Sequence, residues 1–205
     1  MKPLRKHVAL AVDGGGIKGV LVTRALAMVE DHLGSPANEW VNLAVGTSTG
    51  SIVSAGVASG LTGQEMHALY TELGDDVFQN TWRKALWPLT CYRYSSRPLE
   101  DALRRYLGDR LLSGLRALAK PVDIVITVFD LLENRTRFLK PWKEAYAHWP
   151  LIKAVLASCA VPTYFPPVDD RYVDGGVGSY ANPCYVAAYE AWNVLEWDLQ
   201  ETTLI

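Results

Sequence analysis

Cysteine is scarce in this chain: Cys91, Cys159 and Cys184 are the only three, and they lie far apart. No Cys-x-x-Cys pair occurs and no histidine stands at ligand spacing from them, so neither a zinc site nor a disulfide framework is indicated. An odd number of thiols, none near a terminus, suits a reducing compartment. No charge sign dominates either. The formal net charge is −2 with no basic run or stripe, which argues against nucleic acid as a partner. Gly-Lys-Ser and Gly-Lys-Thr are absent, which removes a Walker-type phosphate loop. The basic start, Met1 to His7, precedes an apolar strand of only five residues. That is too short for the apolar core of a signal peptide, so the expectation is no Sec export and a cytoplasmic location. The longest uncharged stretch, Trp40 to Gln64, reaches membrane-spanning length but is crowded with glycine, serine and threonine. A buried strand and a central helix account for it better than a transmembrane segment. Asp75-Asp76 and Asp169-Asp170 lack the repeated oxygen-ligand spacing of a calcium loop, and no metal is expected. No internal repeat or linker divides the 205 residues, which fit one domain, 1–205.

What is present is punctuated by glycine. Gly46-Thr47-Ser48-Thr49-Gly50 stands between an expected strand, 40–45, and a small-residue helix from Ser51 to Val57. A serine there occupies a sharp turn, with a glycine two positions away on each side so that no side chain blocks the bend. Its hydroxyl is held up over a helix N-terminus, as in the nucleophile elbow of serine acyl hydrolases. Upstream, the apolar run Val8 to Val12 enters Asp13-Gly14-Gly15-Gly16-Ile17-Lys18-Gly19. The apolar positions Leu21, Val22, Ala25, Leu26, Val29 and Leu33 then repeat at helical spacing. Three consecutive glycines between strand and helix suit backbone N–H groups that must approach negative charge, such as the oxyanion of a tetrahedral intermediate. The same residues fit a dinucleotide fingerprint, Gly14-x-Gly16-x-x-Gly19. That reading needs an acid at the end of a second strand, and Glu30 and Asp31 instead continue the helical pattern.

A third element is Arg171-Tyr172-Val173-Asp174-Gly175-Gly176, a short strand that delivers an aspartate to a glycine turn after the proline-rich stretch Pro162 to Pro167. An aspartate so placed suits a general base in a crevice. Together, the glycine loop, the elbow, Ala157-Ser158-x-x-Val161-Pro162, Asp174-Gly175-Gly176 and Asn182-Pro183 resemble the patatin-like phospholipase family, in order and over nearly the whole chain. The resemblance implies a three-layer α/β/α sandwich with a mainly parallel sheet. It implies a Ser–Asp dyad with Ser48 as nucleophile and Asp174 as base, oxyanion donors at Gly14, Gly15 and Gly16, and no cofactor. Gly19, Gly46, Gly50, Gly175 and Gly176 support the motifs. The substrate class it implies is a glycerolipid ester, with transient membrane-surface contact. The same serine also suits a transacylase or thioesterase, and a silent scaffold of this shape is the rival from outside the enzymes. The chain departs from the family at Glu201 to Ile205, which reads as a strand where members continue into a Ser-Leu-Gly-Thr-Gly-like loop, so the family's C-terminal part is expected to be lacking.

Among His7, His32, His67 and His148, only His148, in a loop beside Trp149-Pro150, is a candidate alternative base. Lys18 in the glycine loop suits a phosphate head group or simply completes the turn, and Arg24 reads as solvated helix surface. Thr62-Gly63-Gln64-Glu65 has the form of a capping box opening a helix through Leu73. A further helix is expected from near Pro98 to Leu107. Trp82, Trp87, Pro88, Tyr92 and Tyr94 suit either a lipid–water interface or a satellite cluster under a loop. A strand over 122–129 with a hairpin partner over 135–139 completes an α/β alternation.

Overall fold

The computed structural model describes residues 4–77 and 91–205, with 75–77 described by backbone alone. The strands are β1 (His7–Val12), β2 (Leu43–Thr47), β3 (Asp123–Asp130), β4 (Arg135–Leu139), β5 (Tyr172–Asp174) and β6 (Thr202–Leu204). They form one sheet in the order β4-β3-β2-β1-β6, with β5 also on β3. β1, β2, β3 and β6 run parallel, while β4 and β5 are antiparallel to β3. The helices are α1 (Gly19–Leu33), α2 (Thr49–Ser59), α3 (Gly63–Val77), α4 (Arg97–Leu107), α5 (Glu144–Ala147), α6 (Leu151–Ser158) and α7 (Cys184–Tyr189).

Strand alternation builds two cores. Val8, Leu10 and Val12 of β1, Ala44 of β2 and Ile124, Ile126 and Val128 of β3 face the larger core, with α2, α3, α4 and α6. Ala9, Leu43, Val45 and Val125 face the other side, covered by Val186 and Ala187 of α7 and by Ala191 of the π-helical turn after it. Strands buried on both faces read as continuous apolar runs, which is why β1 and β3 are visible in the sequence. The three-layer sandwich expected from the resemblance is therefore the architecture found.

β3 positions everything else. Residues 123–127 pair with β2, 126–130 with β4 and 128–130 with β5. Since β4 overlaps both other pairings, β2 and β5 must share the opposite edge of β3. They meet there end to end, Thr47 opposite Thr127 and Asp174 opposite Val128.

Local departures from the sequence reading have physical causes. The strand expected over 40–45 lies at Leu43–Thr47 because Trp40 N–H closes a turn on Ala37 O. His7 opens β1 rather than preceding it, and its ring stacks on Trp197 at 4.7 Å. α1 turns a different face inward than its large apolar residues suggest. Gly19, Thr23, Leu26, Ala27 and Glu30 are buried, whereas Leu21, Val22, Ala25 and Val29 are exposed. α1 and α3 approach too closely for large side chains: a Cβ on Gly63 would lie 2.4 Å from Ala27 N. Buried Glu30 is satisfied by the N–H groups of Ala37 (2.8 Å) and Gly63 (2.6 Å), so its carboxylate caps α3. The capping box forms as read, with Thr62 N–H to Glu65 Oε2 at 2.8 Å and Glu65 N–H to Thr62 Oγ1 at 3.2 Å. Asp169 and Asp170 both take positive φ in the turn ahead of β5. Trp82, Trp87 and Pro88 lie outside the described residues, and Tyr94 is buried against Tyr164 and Phe165. Among the described residues no helix is long and apolar enough to cross a membrane.

Candidate active site

Ser48 sits between β2 and α2 with φ 54° and ψ −130°. A non-glycine residue in this region stores strain of about 1–3 kcal/mol, held by its surroundings. Two close approaches hold it. A Cβ on Gly46 would meet Gly50 O at 2.3 Å, and one on Gly50 would meet Val12 O at 2.1 Å. Both neighbours are backbone and cannot swing aside. Gly50→Ala is therefore expected to destabilise at the upper end of the ~1–3 kcal/mol usual for overpacking, read as a lowered urea midpoint.

Further bonds fix the elbow. Ser48 N–H donates to Ser158 Oγ at 2.9 Å, and Ser158 Oγ–H donates to Thr127 O at 2.7 Å. Ser158 thus ties the end of α6 to both β3 and the serine's backbone. Thr47 Oγ1 donates to Tyr180 O at 2.6 Å and accepts from Thr127 Oγ1 at 2.6 Å. The sequence shows Ser158 as part of a motif but gives no sign of this bridging role.

Asp174 ends β5. It is only 5% exposed, and its N–H donates to Ala160 O at 3.1 Å. Oδ1 accepts from Gly176 N–H at 2.7 Å, while buried Oδ2 has no partner in hydrogen-bonding geometry. Burial pushes this carboxyl above the usual aspartate range; the nearby Ser48 hydroxyl and the Gly176 N–H pull it only part of the way back. Ser48 and Asp174 thus line the same cleft with no closed hydrogen bond between them.

Gly14, Gly15, Gly16, Ser48, Asp174 and Gly176 line one open cleft of about 440 Å³. The three loop amides are not equivalent. Gly14 N–H donates to Ala181 O at 2.9 Å and Gly15 N–H to Thr49 Oγ1 at 3.2 Å, while Gly16 takes φ +58° beside them. Gly19 lies one turn on, facing the Tyr70 ring, and Gly175 packs on Thr127. A second cavity, of about 310 Å³, opens on the other side of Ser48 between Ile17, Ile52, Tyr70, Leu73, Leu99 and Phe165. Ser48, Gly16 and Val161 belong to both cavities, so the hydroxyl stands where an open cleft holding Asp174 and the glycine loop meets a more enclosed apolar pocket. Sequence reasoning missed this pocket because its lining comes from separate elements with no shared motif. Tyr70 closes it, donating its phenol to Thr49 O at 2.5 Å. Burial raises the Cys159 thiol, which also lines the pocket and stays protonated.

No histidine lines either cavity. His148 is exposed ahead of α6, whose opposite end carries Ser158, so the eight-residue helix alone separates it from the elbow by roughly 12 Å. Groups of three or more His, Cys, Asp or Glu able to hold a metal do not occur among the described residues.

Among solved structures, VipD from Legionella pneumophila shares the fold, with a TM-score of 0.58 over 98% of this chain and 49% of that chain at 15% identity. The cGAMP-activated phospholipase of Escherichia coli strain TW11681 is 27% identical over 207 residues, covering 92% of this chain and 57% of that protein. The intracellular phospholipase A2 of Caenorhabditis elegans is 29% identical over 182 residues, covering 82% of this chain and 15% of that protein. The chain thus spans little more than half of the first relative and a small part of the second. The patatin-like phospholipase family model matches residues 10–188, and on that match the chain belongs to the patatin-like phospholipase family.

Proposed function

We propose that the protein is a lipid acyl hydrolase that cleaves carboxylic esters of glycerolipids through an acyl-enzyme on Ser48. The observation that carries this reading is the position of Ser48 on the wall between an open cleft, which holds Asp174 and the glycine loop, and a more enclosed apolar pocket. An acyl chain fits the apolar side, where each buried methylene contributes about 0.8 kcal/mol, while the glycerol and head group stay in the open cleft. Ser48 Oγ attacks the ester carbonyl as its proton passes to Asp174 Oδ2, the oxygen left without a partner. A carboxylate raised by burial is a better base at neutral pH than an exposed one. We assign the oxyanion to the amide of Gly16, joined by that of Gly15 as it exchanges its bond to Thr49 Oγ1 for the oxyanion, with Gly14 fixing the loop through Ala181. Collapse expels the lysolipid alkoxide, which takes the proton from Asp174. Water then gives a proton to the same carboxylate and attacks the acyl-enzyme; the bond to Ser48 Oγ breaks, Oγ takes that proton back from Asp174, and fatty acid is released. Three free cysteines fit a reducing compartment, and we place the enzyme in the cytoplasm on that basis.

The test is covalent labelling by a fluorophosphonate, followed by fatty-acid release from a panel of phospholipids and acylglycerols. Labelling mapped to Ser48 together with fatty-acid release supports the reading. An unlabelled Ser48 in folded protein, with no lipid turned over, assigns the chain to a silent scaffold instead.

A further inference from the structure

The exposed side of α1 is chemically wrong for a helix facing water. Its inner side packs on α3 and α2, and an outer side of this kind ordinarily carries polar and charged residues. Here Leu21 is 69% exposed and Met28 61%, with Val22, Ala25 and Val29 exposed beside them. At 3.6 residues per turn these five fall within one arc of about 120°, along a helix about 22 Å long. Lys18 is exposed at the N-terminal end of the arc and His32 at its C-terminal end, while Arg24 is exposed along one margin, with Asp31, the one exposed carboxylate on the helix, two turns beyond it.

The arc leads to the site. Ile17, one turn before Leu21, is itself exposed and forms part of the wall of the apolar pocket beside Ser48. An apolar track thus runs along the outside of α1 and turns into the pocket. We propose that this face of α1 docks the protein on an anionic phospholipid bilayer, so that an acyl chain passes from the bilayer along Ile17 into the pocket. The passage rests on the hydrolase reading above; the docking does not. A bilayer suits the face because an exposed apolar strip accompanied by basic side chains is the pattern of a helix lying in the head-group boundary. Within the hydrolase reading it also brings substrate to Ile17, which a folded partner would cover. Lys18 and Arg24 match the negative surface of anionic lipid, and apolar side chains at this depth insert into the boundary between head groups and acyl chains.

The test uses the Ser48→Ala protein, which cannot consume its vesicles, sedimented with phosphatidylcholine vesicles with and without phosphatidylglycerol. Partitioning is expected to be at least tenfold stronger on the anionic vesicles, and Arg24→Glu to weaken it about fivefold. Leu21→Asp with Met28→Asp is expected to weaken it at least tenfold. With Ser48 restored, the same pair should leave hydrolysis of a soluble short-chain ester unchanged and slow hydrolysis of vesicle lipid at least tenfold. Leu21→Ser alone supplies the comparison if the double variant fails to fold. Equal partitioning of variant and parent overturns the docking face. So does a wild type that elutes as a dimer and is made monomeric by the pair, since a second copy then covers α1. Partitioning that depends on α1 in a protein that hydrolyses no lipid leaves docking standing and removes the catalytic reading.

Discussion

Ser48→Ala is expected to lower ester hydrolysis by roughly 10⁴-fold or more while the thermal midpoint stays at or above that of the wild type, since on the proposed mechanism it removes the nucleophile and with it the covalent route. Asp174→Asn should fall nearly as far, because an amide takes no proton from Ser48. Stability separates the aspartate's role from a structural one. Its carboxyl is raised in the fold above the unfolded value, by burial first. A raised carboxyl favours the fold below the unfolded pKa, and that contribution is lost as pH rises through the folded value, so at neutral pH the ionised group weakens the fold. Asp174→Asn should therefore be as stable as the wild type at pH 7 or more so, with Gly176 N–H still donating to the amide oxygen. The same shift places the acid limb of kcat/KM above the ordinary aspartate range near 3.9. Denaturant melts and a pH–rate profile check both statements. Full activity in Asp174→Asn would remove the dyad.

The second large effect is expected just outside the cleft, two positions along β3 from the partner of Asp174. Asp130, at the end of β3, is fully buried and accepts from Arg171 Nε (2.9 Å) and Nη2 (2.7 Å), from Arg137 Nε (3.3 Å) and from the N–H groups of Leu132 and Glu133. Hydrogen bonds from Arg171, outweighing burial, hold this carboxyl well below its usual range. Removing one partner of a buried pair typically costs ~3–5 kcal/mol. Arg171 is 30% exposed and keeps Glu133 at 2.9 Å, so Asp130→Ala belongs at the lower end, about 3 kcal/mol. A depressed carboxyl stabilises above the unfolded pKa, and this is lost as pH falls through the folded value. Wild-type stability should therefore decline from about pH 5 downward, with a flatter decline in Asp130→Ala. Arg171 immediately precedes β5, so the variant should also lose turnover through misplaced Asp174 even where it remains folded. Urea unfolding at two pH values, with kcat measured below the transition, tests this. Unchanged stability at pH 7 would show that the cluster is only solvated charge.

What the sequence revealed and what it hid follow from how local each feature is. The elbow, the glycine loop and Asp174-Gly175-Gly176 are contiguous, and their glycines mark places where backbones nearly touch, as at Gly46 and Gly50. The hairpin over β3 and β4 and the capping box at Thr62 were legible for the same reason. The inner face of α1 was not, because close helix contact selected Gly19, Thr23 and Ala27 and left Leu21 and Met28 outside. The Asp130 cluster and the apolar pocket draw on separate elements, so no short window contains them. Nor does a run of three glycines disclose that Gly14 spends its N–H on Ala181.

Since β2 and β5 lie along one edge of β3, the spacing between Ser48 and Asp174 is set by a common ruler, and bending that strand carries both residues together. The ruler has a coarse graduation. Side chains alternate along a strand, so slipping β5 by a single position would send the carboxylate through to the far face and put Val173 in its place. Insertions in the connecting loops are tolerable in such a design; an insertion within Tyr172–Asp174 is not.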